Sequence, residues 1–198
     1  RSTPKPSSAA SDVYKRQRKS CRFTNEKKHD NIAYNSIKSK RKGNGMKKRV
    51  EESRTEQTYL LMPRHINGYG RLFGGMLMQW IDELAGIVAR RHSGHEITTA
   101  SIDNLNFKEA AYLNQTIVLV GRVTYVGRTS MEVRVDTYVE GLDGMRRVIN
   151  RAYVVMVAID EEGKALEVPG LVIETESEKA EWESGPVSYT HLTLPTKA

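Results

Sequence analysis

NGYGRLFGGMLMQWIDELAGIVARRH, residues 67–92, reads as a polar, glycine-rich loop feeding one long apolar helix. From Met76 the apolar positions Leu77, Ile81, Leu84 and Val88 recur at three- and four-residue steps, and Trp80, Ile87 and Ala89 widen the stripe. That width predicts a helix buried nearly all round. Gly74 and Gly75 at its start cost helix propensity, so their expected use is close approach of a backbone or ligand to the first amides. Arg90, Arg91 and His92 suit the negative end of the dipole, and Gly94 is placed to stop the helix.

Outside this stretch the charge is unevenly spread. Residues 1–50 hold 16 Lys and Arg against 3 acids, which leaves 15 bases and 21 acids for the rest of a chain whose total is +7. The basic part, residues 1–45, has few large apolar side chains and no sustained period, and is expected to be disordered. A nucleic-acid-binding arm is the functional reading of such a run, but Lys and Arg without interleaved aromatics more often form a solvated tail. The segments SSAASDVYKRQ and SYTHLTLPTKA resemble translated sequencing-adapter read-through, and Met46 resembles a native start. Residues 1–45 and 186–198 are therefore set aside as extensions. The lone Cys21 allows no internal disulfide, and no apolar run reaches the roughly 18 residues needed to cross a bilayer, so a soluble cytoplasmic protein is expected.

Around the helix the chain reads as strands. Thr55–Met62 precedes it; Ile97–Lys108, Thr116–Val126, Ser130–Glu140 and Arg147–Ile159 follow. In the third of these, Val133, Val135, Thr137 and Val139 alternate with Glu132, Arg134, Asp136 and Tyr138, the period of two that gives one dry face. Links as short as Gly127-Arg128-Thr129 and Gly141-Leu142-Asp143-Gly144 force antiparallel neighbours. The expected fold is α+β: a five-stranded antiparallel sheet wrapped around one long central helix, over residues 46–173, with a peripheral acidic helix in 174–185. Such a sheet leaves one side of the assembly open, which predicts pairing with a second copy.

Several chemistries find no support. His65, His92 and His95 lack metal-site spacing, and their expected role is solvent contact near helix ends; no metal is expected. Gly68–Gly74 does not fit a dinucleotide fingerprint, and neither Ser101 nor Ser130 sits in a nucleophile elbow. Asp82 stands apart. It shares a helical face with Gly75, Met78 and Gly86, small or flexible residues that leave space beside its carboxylate.

The runs HINGYGRLFGGMLMQWIDELAG, TTASIDNLNF, YVGRTSMEV and VMVAIDEEGKALEVP, in this order over residues 50–173, resemble the hotdog-fold acyl-CoA thioesterases, specifically the bacterial acyl-CoA hydrolase branch. The resemblance implies hydrolysis of acyl-CoA to a free acid and CoA without a separate cofactor. It also implies active sites shared across a homodimer, assembled further as a trimer of dimers. Its catalytic pair falls on Asn67 and Asp82.

On that basis Asp82 is expected to act as general base or as nucleophile, with Asn67 positioning water or the carbonyl. The Gly75 amide and the helix dipole are expected to hold the oxyanion. Gly75 and Asp82 are seven residues apart, about 10 Å along the axis, so one helix cannot serve both ends of one thioester. Gly127, Arg128, Thr129 and Ser130 offer a cation, hydroxyls and amides to the CoA moiety, although the same four residues make an ordinary hairpin turn. Arg90 and Arg91 could add phosphate contacts, and Met78 is expected to line an acyl tunnel. A hotdog module that binds acyl-CoA without cleaving it is the alternative; the presence of both Asn67 and Asp82 argues against it.

Overall fold

A computed structural model describes residues 47–189, apart from the side chains of residues 104 and 186–189. The expectations for residues 1–45 and 190–198 lie outside the described residues. In chain order the elements are β1 (Lys47–Arg49), α1 (Val50–Ser53), β2 (Thr55–Leu60), α2 (Gly74–Ser93), β3 (Glu96–Phe107), β4 (Thr116–Val126), β5 (Ser130–Glu140), β6 (Arg146–Ile159), β7 (Gly170–Val172) and α3 (Glu176–Tyr189).

Five strands form one antiparallel sheet in the order β2-β4-β5-β6-β3. The alternation read in β5 places Met131, Val133 and Val135 on the inner face, beside Val123 and Leu119 of β4 and Val154 and Met156 of β6, all without solvent exposure. Leu77, Ile81, Leu84 and Val88 of α2 meet that face. Each such side chain contributes about 1.5–3 kcal/mol relative to an exposed position. Gly94 ends α2 in the left-handed conformation, with φ 71°.

The approach of α2 to β4 depends on Gly121. A Cβ there would stand 3.0 Å from Val88 Cγ2 and 3.2 Å from Leu84 Cγ, and neither neighbour is exposed. Gly121→Ala is therefore expected to destabilise the fold by about 1–3 kcal/mol, measured as a lowered urea midpoint at unchanged m-value.

The helix is less enclosed than its sequence suggests. Its buried residues lie toward the sheet, whereas Gly75, Gln79 and Glu83 are exposed and Met78 is 41% exposed. A single sheet covers one side of a rod, and the width of the apolar stripe overstates what one chain can bury. β3, the last strand in the order, pairs only with β6 among the described residues.

Three further features depart from the sequence reading. Lys47–Arg49 and Gly170–Val172 pair in parallel as a separate two-stranded sheet, too short to show a period. The acidic helix runs to Tyr189, four residues into the stretch set aside as an extension. It is tied to the sheet by Glu181, which pairs with Arg122 and Arg134, and by Trp182, 4.6 Å from the Tyr125 ring.

Third, His92 is not a solvent contact. It is 1% exposed and its Nε2 donates to the Pro169 carbonyl at 2.9 Å. That bond fixes the tautomer and leaves Nδ1 as a buried acceptor with no hydrogen-bond partner among the described residues. Lys48 Nζ donates to the Arg91 and His92 carbonyls and closes the helix end.

Burial pushes the His92 imidazole below its ordinary pKa, a trend only partly opposed by the Pro169 hydrogen bond. The unfolded chain therefore binds the proton first. Stability conferred by the neutral ring is complete above the unfolded value of about 6.5 and is lost as pH falls through the lower folded value. Urea midpoints are expected to drop between about pH 7.5 and pH 5.5 by more in the wild type than in His92→Gln.

Candidate active site

The loop before α2 is built by its own polar groups. Pro63–His65 forms a single 3-10 turn, and Ile66 bridges Leu72. Asn67 lies at the base of the turn: its Oδ1 accepts the Tyr69 amide at 3.0 Å and the Arg71 amide at 3.2 Å, and its own amide donates to the Arg71 carbonyl at 2.7 Å. The side-chain carbonyl is thus spent on the loop, as the ordinary-turn reading of Asn-Gly requires. The Nδ2 donors have no partner among the described residues.

The loop is fixed to the helix through aromatic rings. Trp80 stacks on Tyr59 at 4.2 Å and meets His65 edge-on at 5.1 Å. His65, 6% exposed, is therefore a packing residue, not the solvent contact expected of it. The Phe73 amide donates to the His65 carbonyl.

Phe73 is the N-cap of α2 and supplies no side-chain cap. The first intrahelical bonds run from Met76 and Leu77 to the Phe73 carbonyl, so the Gly74 and Gly75 amides remain open at the positive end of the dipole. The Phe73 ring lies against Gly75, where a Cβ would come within 2.6 Å of it, and the Phe107 ring lies 3.4 Å from the corresponding point on Gly74.

Asp82, two turns further on, is half-buried on the open wall of α2. Thr99 of β3 donates to its Oδ1 at 2.6 Å, while Oδ2 has no hydrogen bond among the described residues. The Thr99 hydroxyl also lies 3.5 Å from Met156 Sδ. β3 runs beside the helix here, since Ile97 Cδ1 lies 3.5 Å from where a Gly86 Cβ would stand, one turn beyond Asp82. Thr99 carried no role in the sequence reading; the available signal was a hydroxyl on the helix-facing parity of a strand otherwise facing the helix with Ile97.

No hydrogen bond joins Asn67 to Asp82 in this chain. Asn67 lines a pocket of about 320 Å³ whose apolar lining includes Leu72, Leu77, Phe107, Ala111 and Ile149. Asp82 does not line it, and neither does Met78, the residue expected in the tunnel. Phe107 and Ile149 come from β3 and β6, neighbours in the sheet but far from the loop in sequence, which no local pattern could bring to it.

The Gly127–Ser130 segment is a hairpin turn. Gly127 donates to the Ser130 carbonyl at 2.8 Å, and the Arg128 and Thr129 carbonyls accept from Val168 and Ala158. The register Met131↔Met156↔Thr99 sets Ser130 one residue and two strand spacings, about 10 Å, from the Asp82 partner Thr99. Arg90 and Arg91 are engaged elsewhere, by Glu96 and by the Thr55 hydroxyl. Among the described residues no group of three or more His, Cys, Asp or Glu side chains is placed to hold a metal ion. No helix among them is long and apolar enough to cross a membrane.

A sequence model described as the Thioesterase superfamily matches residues 69–144. An uncharacterized acyl-CoA thioester hydrolase of Bacillus subtilis is 39% identical over 129 residues, which cover 65% of this chain and 75% of that protein. The cytosolic acyl coenzyme A thioester hydrolase of Rattus norvegicus is 36% identical over 147 residues, 72% of this chain, but the chain spans only 38% of that relative's length. Among solved structures, a hexameric acyl-CoA thioesterase in its apo form superposes with TM-score 0.71 at 39% identity, covering 74% of this chain and 94% of that one. An acyl-CoA hydrolase from Staphylococcus aureus, in complex with butyryl coenzyme A, coenzyme A and its disulfide, gives 0.69 at 32% identity, covering 73% and 88%. The order of strands around one long helix, the glycine-opened helix start and the identity to the Bacillus subtilis hydrolase agree: the chain belongs to the hotdog-fold acyl-CoA thioesterases, a family of thioester hydrolases.

Proposed function

We propose that this protein hydrolyses the thioester of acyl-CoA to a free carboxylic acid and CoA, at a site completed by a second copy of the chain. The observation that carries this reading is the state of Asp82: one oxygen is pinned by Thr99 and the other is free on an unburied helix wall. A carboxylate so placed is oriented yet still able to react.

The thioester carbonyl rests on the open amide of Gly75, where the helix dipole stabilises the oxyanion as the tetrahedral centre forms. Asn67 Nδ2 donates to the same oxygen or to the attacking water. Asp82 of the other subunit supplies Oδ2. As general base it takes a proton from water while the oxygen adds to the carbonyl carbon; collapse breaks the C–S bond, and the proton passes to the CoA thiolate. As nucleophile Oδ2 itself adds, the thiolate leaves, and water opens the resulting anhydride. Both routes need the Asp82 carboxylate at the carbonyl held by Gly75, and the separation of about 10 Å between these two along α2 supports drawing them from different chains.

Gly127, Arg128, Thr129 and Ser130 are the proposed contacts for the CoA moiety, on amide and side-chain groups the turn does not use. The exposed Phe73, Met78 and Phe107 around the helix start, with the open edge of β3, form the proposed two-fold contact. A trimer of such dimers follows the hexameric state named for the structural relative. Cytoplasmic location belongs to the same proposal, in line with the cytosolic enzyme of the rat.

Thiol release from butyryl-CoA by the purified chain tests the activity. Absence of release from any acyl-CoA under conditions where the protein is folded would remove the reading. Thr99→Val keeps the shape and strand preference but deletes the hydroxyl. It is expected to lower kcat about tenfold with little change in KM, the rate equivalent of losing a hydrogen bond to a charged group.

A further inference from the structure

The pocket beside Asn67 carries charge that the hydrolysis of a simple fatty acyl group does not use. Four residues stand over its apolar floor: Asn67, Arg71, Lys108 and Glu109. Glu109, the sole acid lining it, is already paired with Arg147. Arg71 and Lys108 have no ion pair or side-chain hydrogen bond among the described residues, and both are exposed. Asn67 adds a free amide donor, because its carbonyl is used by the Tyr69 and Arg71 amides. The lining therefore offers an apolar floor and a mouth with two uncompensated cations and no uncommitted acid.

Such a lining fits a short carbon chain that ends in an anionic oxygen group. An acyl-CoA has two possible sources for that group: a phosphate of the CoA moiety, or a second carboxylate at the far end of the acyl chain. Position separates them. Asn67 stands at the reacting carbonyl in the reading proposed above, on which this inference rests, and the CoA phosphates lie a whole pantetheine arm away. Cations sharing a pocket with Asn67 are near the reacting carbonyl, where the far end of a short acyl chain comes within their reach and the phosphates do not. The buried Leu77 and Ile149 in the lining face the methylenes between the two carboxyl carbons.

We propose that Arg71 and Lys108 hold the terminal carboxylate of a short dicarboxylic acyl group, so that the enzyme favours ω-carboxylated over plain acyl-CoA of the same length. The two cations act on substrate choice; the bond-breaking groups remain Asp82, Asn67 and the Gly75 amide.

The test compares kcat/KM for adipoyl-CoA with that for hexanoyl-CoA, and for glutaryl-CoA with pentanoyl-CoA, in the full chain and in Arg71→Gln/Lys108→Gln, with spontaneous hydrolysis subtracted. The substitutions lie on exposed side chains, and circular dichroism checks the fold. The expected result is a wild-type ratio above one for at least one pair, falling about tenfold in the double variant. Lys108→Glu, which repels a carboxylate, is expected to lower the ratio as well. A ratio that does not move overturns the proposal. So does an equal loss on both members of each pair; repeating that measurement with the dephospho-CoA thioesters then assigns the cations to the 3′-phosphate if the loss disappears. No thiol release from any of the four is instead a failure of the thioesterase reading. The same ratios are then taken from dissociation constants by calorimetry, where a fall in the double variant supports the carboxylate site and an unmoved ratio overturns it.

Discussion

Asp82→Asn is expected to abolish thioester hydrolysis while leaving the fold intact, with kcat falling about 1,000-fold, within the range seen on removing a general acid–base group. Asparagine keeps the shape of the carboxylate and still offers an oxygen to the Thr99 hydroxyl, so the bond at 2.6 Å has a replacement acceptor. What is lost is the anionic oxygen that either takes a proton or attacks. Thiol release measured beside a thermal melt separates the two effects: an unchanged melting temperature with a collapsed rate assigns Asp82 to chemistry. A lowered melting temperature with a proportionate loss of rate would make it a structural partner of β3.

Asn67 is harder to isolate because it has two jobs. Its carbonyl oxygen holds the loop together through the Tyr69 and Arg71 amides, and only its Nδ2 is free to act. Asn67→Ala removes both functions and is expected to cost more than 100-fold in kcat, the scale for losing one preorganised donor to an oxyanion. Asn67→Asp keeps an acceptor for the two loop amides and removes the donor alone. Equal inactivity of both variants, with Asn67→Asp melting like the wild type, is the outcome expected if the donor is what matters. Recovery of activity in Asn67→Asp would reduce Asn67 to a turn residue.

The sequence was informative where physical chemistry is local. The three- and four-residue spacing of Leu77, Ile81, Leu84 and Val88, the alternation from Val133 to Val139, and Gly94 as a stop each depend on neighbours within a few positions, and each has its counterpart in the structure. The wall carrying Gly75, Met78, Asp82 and Gly86 was legible for the same reason. Thr99 was not, because one hydroxyl on a strand acquires meaning only when β3 crosses α2 at Asp82. The pocket lining needs Phe107 and Ile149, far apart in sequence, to arrive on the paired strands β3 and β6. His92 was misread because helix-end cations are usually solvated, whereas here Pro169 and Lys48 close over the end.

The central claim is that Asp82 and Asn67 act across a two-fold contact, and subunit mixing tests it most directly. Asp82→Asn and Asn67→Asp chains, each inactive alone, are co-expressed with different affinity tags, and the doubly tagged assemblies are purified and assayed for thiol release. In a random pairing half the dimers are mixed, and each mixed dimer has one site with both residues intact and one with neither, so about a quarter of wild-type activity returns, and nearly the same in doubly tagged trimers of dimers, almost all of which carry both chains. Activity that stays at the level of the single variants would show that each chain builds its own site, and would contradict the account.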